Sequence, residues 1–138
     1  MNRQEILDFV RDHSTSFMGT VEDGEPRVRG MDTPYVDDEG LVFCTGTHKG
    51  VCQQLLANGA VELAYWSPDN GRMLRLRGQM EPLDSLDLKK HIVETRFTFL
   101  KPVVAQHGYE SLTLFRLPGG EYRTWDGRNG GTEETGTF

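Results

Sequence analysis

The spacing of apolar residues changes character several times along the chain, and each change predicts an element. Ile6, Phe9, Val10 and His13 recur at helical spacing behind Asn2 and Glu5, a capping-box pair, so residues 3–13 read as a short amphipathic helix. From Phe17 the period shortens to that of strands. Residues 17–21 and 26–36 read as two strands joined by the turn Glu22-Asp23-Gly24-Glu25. Asp37-Asp38-Glu39-Gly40 then turns into residues 41–45, a continuous apolar run typical of a buried strand. Hairpins in series predict an antiparallel meander rather than a parallel sheet. A helix follows, with Thr47 as N-cap, Val51, Leu55 and Leu56 on its apolar face, and Asn58-Gly59 as its stop. Residues 61–66 and 73–80 read as the next two strands. In the second of them Leu74, Leu76 and Met80 take one face, and Arg75, Arg77 and Gln79 the other. Asp84 or Ser85 caps a third helix reaching about Phe97, with Leu88, Ile92 and Val93 inward. A loop holding Pro102 and Gly108 leads to residues 111–117 and 121–125, a last hairpin around Pro118-Gly119-Gly120. Six to seven hairpin-linked strands with three short helices predict one mainly β domain over residues 1–138, a closed or split antiparallel β-barrel. The Gly-rich stretch 127–138 is left as a tail.

Composition adds one question. The chain has 138 residues, of which 36% are hydrophobic. That is below the ~45–50% apolar usage of ordinary globular chains unless glycine, which that range counts, is added back. A core on the thin side invites completion by a cofactor or a partner subunit. No apolar run is long enough to span a membrane, and the first residues lack the apolar stretch of a signal peptide, so a cytoplasmic protein is expected. The net charge of −6 argues against general nucleic-acid binding. Cys44 and Cys52 are too far apart for a CxxC clip and read as buried small apolar residues. Against the acidic background, five arginines gather in two short segments, Arg27/Arg29 and Arg72/Arg75/Arg77. Such local gathering suits the holding of a single anion.

Two motifs carry candidate chemistry. Phe43-Cys44-Thr45-Gly46-Thr47-His48-Lys49-Gly50 runs from a buried strand through a turn into a helix N-terminus. The first-turn amides of such a helix are unpaired and the dipole favours an anion there. Thr45 and Thr47 add hydroxyls and Lys49 a full charge. The pattern lacks the long glycine loop and Lys-Ser/Thr ending of a nucleotide P-loop, which excludes that reading. The competing reading is an ordinary helix cap with a solvated lysine. In Arg27-Val28-Arg29, strand alternation puts both arginines on one face. Arginine makes the bidentate contacts that phosphate geometry favours. The competing reading pairs them with Glu22 and Glu25 across the hairpin. Gly30 would let a flat ligand approach the backbone closely. His48 is accounted for by the helix start, His91 and His107 have no evident partner, and no nucleophilic triad is recognisable.

Taken in order, Pro26-Arg27-Val28-Arg29-Gly30-Met31, the segment from Gly40 to Lys49, Val61-Glu62-Leu63-Ala64-Tyr65-Trp66 and Leu74-Arg75-Leu76-Arg77-Gly78 resemble the pyridoxamine-5′-phosphate-oxidase-like FMN-binding split-barrel family over most of residues 15–125. The resemblance implies a homodimer with one FMN in each of two clefts between subunits. It implies that Arg27 and Lys49 bind the FMN phosphate with help from Thr47 and the His48 amide. The backbone of Val28, Arg29, Gly30 and Met31, with Thr45 and Gly46, would lie along the isoalloxazine ring, and Arg75, Trp125 or Trp66 would reach in from the other subunit. Trp66 also reads simply as a core or interface residue. The chain departs from the true oxidase in having Asp32 where that enzyme has a lysine near the flavin, and Met73 where it has a glutamine. It also lacks the arginine- and histidine-bearing substrate signature. The expectation is therefore FMN binding and flavin redox chemistry on an undefined small molecule, rather than oxidation of pyridoxamine phosphate. The other class left open is a binding protein of the same fold that holds haem, a deazaflavin or another anionic ligand without turnover.

Overall fold

The chain starts as its capping signal predicts. Asn2 Oδ1 accepts from the Glu5 amide at 2.9 Å and Glu5 Oε2 from the Asn2 amide at 2.7 Å, opening α1 (Arg3–Asp12). Ile6, Leu7 and Val10 of α1 are fully buried. The computed structural model describes all residues from Met1 to Phe138. Ten strands follow rather than the six to seven expected, in two antiparallel sheets, the short Tyr35–Asp37 and Glu81–Leu83 and the C-terminal Thr132–Thr137 being the additions. One has six strands in the order β10-β9-β6-β5-β1-β2, built from β1 (Thr15–Glu22), β2 (Glu25–Asp32), β5 (Ala60–Ser67), β6 (Arg72–Gln79), β9 (Glu121–Asp126) and β10 (Thr132–Thr137). The other has four, ordered β3-β4-β8-β7, from β3 (Tyr35–Asp37), β4 (Gly40–Gly46), β7 (Glu81–Leu83) and β8 (Leu112–Leu117). This is an antiparallel split β-barrel, as the alternation patterns predicted. The other α-helices are α2 (Gly50–Ala57), α3 (Leu86–Thr95) and α4 (Lys101–His107).

The core lies where the alternation put it. Met18, Leu63, Tyr65, Leu74 and Leu76 of the six-stranded sheet pack with α1, α2 and the inner face of β4 and β8. A smaller cluster of Val42, Cys44, Ile92, Val93 and Leu114 joins the outer face of the four-stranded sheet to α3. No helix is long and apolar enough to cross a membrane.

The structure corrects several expected boundaries. The strand expected over 26–36 is two strands in different sheets, because the chain crosses between them at the buried Thr33 and Pro34. Thr33 Oγ1 is anchored there on the Tyr65 hydroxyl at 2.7 Å. The expected loop around Pro102 is helix α4, with the proline in its first turn, where a missing N–H costs nothing. Gly108, at φ 78°, ends α4 in a conformation other residues avoid. The Gly-rich tail is not a tail: β10 pairs with β9 in register from Thr132↔Asp126 to Thr137↔Glu121. Phe138 and Gly120 then exchange backbone hydrogen bonds at 3.0 and 3.3 Å.

Candidate functional site

Strand β2 is the free edge of the six-stranded sheet, pairing only with β1. An edge strand leaves alternate backbone N–H and C=O groups without a strand partner. Along this edge a cleft of about 620 Å³ opens, bounded by Arg29 to Asp32 of β2, the turn from β4 into α2, and the segment that links α3 to α4. The volume falls in the ~300–1,000 Å³ range of small-molecule sites. Gly30 has nothing within 4 Å of where a Cβ would stand, so the cleft wall is bare backbone at that point.

Arg29 is held rigidly on this wall. Its guanidinium donates to Met18 O at 3.1 Å, Thr20 Oγ1 at 2.7 Å and Gln54 Oε1 at 2.6 Å. Gln54 is turned for that role by donating to Glu22 Oε2 at 2.9 Å. Burial lowers the Arg29 pKa from its ordinary value, and the nearby Glu22 charge offsets part of that shift. Arg27, on the same face of β2, does not line the cleft. It sits exposed, 3.6 Å from Glu22 Oε1, which is the cross-hairpin pairing weighed in the sequence.

The turn into α2 is built differently from its sequence reading. Lys49, not Thr47, is the N-cap, and its side chain makes no capping bond; no acid stands in the first turn. The first amides of α2 thus face the cleft rim without a side-chain acceptor. Thr47 is already engaged: its amide donates to Ser111 O at 2.8 Å, and its hydroxyl lies 3.2 Å from Glu110 O and 2.8 Å from Thr113 Oγ1. It faces a neighbouring hollow of about 530 Å³ with His48, Val103, His107 and Ser111. His48 and Lys49 themselves are exposed and line the cleft.

The third wall could not be read from local pattern. Phe97, Phe99, Leu100 and Val103 form its apolar surface, with the Phe97 and Phe99 rings 5.3 Å apart. Arg96 reaches back across 64 residues to Asp32 Oδ2 at 2.9 Å. Asp32 is the only acid lining the cleft, against Arg29, Lys49 and Arg96. Cys44 also lines it, and burial pushes its thiol up to about 11, so it is a neutral wall group.

Of the expected site residues, Arg29, Gly30, Met31, Thr45, Gly46, His48 and Lys49 meet in this cleft; Arg27, Val28 and Thr47 border it without lining it. Arg75 and Trp125 lie elsewhere. Register places Val28, Phe17, Ala64, Trp66, Met73, Arg75, Arg123 and Trp125 on the outer face of the six-stranded sheet. Trp66 is therefore not a core residue. It stands 45% exposed, with its ring centroid 6.5 Å from that of Trp125. The second arginine cluster holds no free charge: Arg75 pairs with Glu62, Arg77 with Glu121 and Arg72 with Asp126. The 96–112 wall was missed, and Asp32 stood in the sequence only as a departure from the oxidase's lysine, not as a cleft residue paired with Arg96. The available signal was Phe99, a large apolar residue off the inward face that Ile92, Val93 and Phe97 share.

Comparison with known proteins agrees with the fold. A Clostridium acetobutylicum protein of the NimC/NimA family has the same fold, with TM-score 0.76 at 20% identity over 98% of this chain and 91% of its own. A pyridoxamine 5′-phosphate oxidase-related, FMN-binding protein of Nostoc punctiforme superposes with TM-score 0.67 at 13% identity, over 99% and 95%. The pyridoxine/pyridoxamine 5′-phosphate oxidase of Shewanella frigidimarina is 33% identical over 73 residues, 52% of this chain but about a third (34%) of that enzyme's length. Residues 3–116, which carry both sheets' central strands and every wall of the cleft up to Leu112, match the pyridoxamine 5′-phosphate oxidase family, and to that family the chain belongs.

Proposed function

We propose that this protein is a homodimeric FMN-binding oxidoreductase acting on a small molecule, with the cofactor in the cleft along β2. The observation that carries the reading is the convergence of Arg29, Lys49 and the uncapped start of α2 beside the open backbone at Gly30. A phosphate group needs fixed cations and free amides. A flat ring needs a wall without side chains and hydrogen-bonding backbone groups. Both are present on one cleft, so the residues fit the group. Arg29 and Lys49 would hold the phosphate, and Gly30, Met31, Thr45 and Gly46 would flank the ring. Bound flavin supplies hydride or electron transfer, which no side chain here could provide. The chain's own share is orientation, charge and exclusion of water by the apolar third wall.

The homodimer is supported by the outer sheet face, where Val28 is 71% and Phe17 64% exposed beside Trp66 and Trp125. Such a patch favours covering by a second copy. That face adjoins β2, which is how Arg75 and Trp125 of one protomer would reach the cleft of its partner.

The test is the absorption spectrum of the purified protein and the mass of what it releases on denaturation. Flavin bands, or one-to-one uptake of added FMN, are expected. A colourless protein that takes up no FMN overturns the reading, and haem or deazaflavin bands would put the binding-protein alternative ahead.

A further inference from the structure

We propose that the apolar end of the cleft takes an uncharged planar ring, and that Asp32 sets this preference by keeping Arg96 in an ion pair. The inference rests on the flavin reading only in giving the Arg29–Lys49 end to a phosphate. Arg29 and Asp32 are three residues apart on an extended strand, about 10 Å. The cleft thus has Arg29 and Lys49, neither in an ion pair, toward one end and the Asp32–Arg96 pair toward the other, with Phe97 and Phe99 next to Arg96 in sequence.

The pair makes that end hostile to anions. Arg96 is the one cation there, and Asp32 Oδ2 already accepts from it at 2.9 Å. Asp32 Oδ1 is buried with no hydrogen-bond partner, so the carboxylate depends on Arg96 for its charge balance. An anion drawing Arg96 away would leave that carboxylate unpaired, and would set it next to a like charge. A neutral ring provokes neither penalty. Its natural surroundings are the Phe97 and Phe99 rings, tilted 44° to each other, with Phe99 70% exposed and able to give its face to a ligand. Leu100 adds to this apolar wall without a further charge.

The experiment uses FMN-saturated protein, so that the cation end is occupied, and titrates 1-naphthol and 1-naphthyl phosphate by calorimetry at neutral pH. The unmodified protein should bind the neutral ring at least about tenfold tighter than its phosphate ester. Asp32→Asn should release Arg96 and tighten the ester by about fivefold or more while leaving naphthol within about twofold. Adding Arg96→Gln to Asp32→Asn should abolish that gain. Phe99→Ala removes an exposed side chain, so the fold is kept, and should weaken naphthol by about fivefold, with Phe99→Trp restoring it. Equal binding of both ligands by the unmodified protein, equal shifts for both in Asp32→Asn, or indifference of naphthol to Phe99→Ala would each overturn the proposal. Flavin uptake is scored separately. A protein that takes no flavin overturns the previous section, and on it the naphthol titrations of Phe99→Ala and Phe99→Trp, which do not need the cation end filled, still decide this one.

Discussion

Replacing Arg29 by methionine keeps the aliphatic stem and removes the guanidinium, which separates the two things Arg29 does. In the fold it donates three hydrogen bonds, to Met18 O, Thr20 Oγ1 and Gln54 Oε1. Its loss orphans little, because Gln54 Oε1 still accepts from Thr20 Oγ1 at 2.6 Å. The charge is also partly desolvated, as its lowered pKa shows, so its removal returns some free energy. The net cost to stability is about 1–2 kcal/mol, a melting temperature lower by less than ~10 °C. For a bound phosphate the loss is larger in effect. One charge-assisted hydrogen-bonded contact contributes about 1.5–3 kcal/mol, so FMN affinity should fall by about 10- to 150-fold. Riboflavin shares the ring and lacks the phosphate, so its affinity should move by less than about threefold. The assay is quenching of flavin fluorescence on titration with each ligand, with circular dichroism to confirm folding. The decisive quantity is the ratio of the two affinities. If Arg29→Met is folded and that ratio is unchanged, Arg29 does not hold the phosphate and the cation end of the cleft has been misassigned.

Four further outcomes are expected. Burial alone would raise the Asp37 pKa, but its bonds to Arg116 at 2.5 and 3.3 Å help bring the net value below the ordinary one. A lowered folded-state pKa gives stability that is complete above the unfolded value of about 3.9 and is lost as pH falls through the folded one, so urea midpoints should drop below about pH 4, and less steeply in Arg116→Gln. With its thiol pushed up to about 11, Cys44 should resist iodoacetamide at pH 8 in the folded protein and react once denatured, as peptide mass mapping would show. Deleting residues 132–138 strips β10 from β9 and uncovers Tyr122, which should lower the melting temperature by about 5 °C or more and speed amide exchange in β9. If the proposed dimer forms, Val28→Glu puts a charge on its sheet face and should give a monomer by light scattering; a dimer undisturbed by the change would place the interface elsewhere.

What the sequence could and could not disclose follows from the range of the forces involved. Local signals read true: the Asn2–Glu5 box, the alternation of Leu74 and Leu76 against Arg75 and Arg77, the buried run of β4. They failed where a residue's partner is distant in the chain. Thr47 has the chemistry of a helix cap, yet its hydroxyl meets Thr113, 66 residues on. The Thr-Glu-Glu-Thr-Gly-Thr segment has no apolar period of its own and is a strand because β9 offers it a register. The candidate site divides the same way. Its cation end is a strand and a turn, each written in a few consecutive residues, and both were legible. Its apolar end joins β2 to residues 96–112 and exists only in the fold. That division bears on the apolar residues outside the core as well. Seven large apolar side chains, Phe99, Val28, Phe17, Leu56, Leu86, Trp66 and Trp125, stay exposed. Three of them border the cleft or the sheet face beside it within reach of β2: Phe99, Val28 and Phe17. Side chains of this size left outside the core at this place fit the proposed ligand and second subunit, an argument that rests on burial rather than on resemblance.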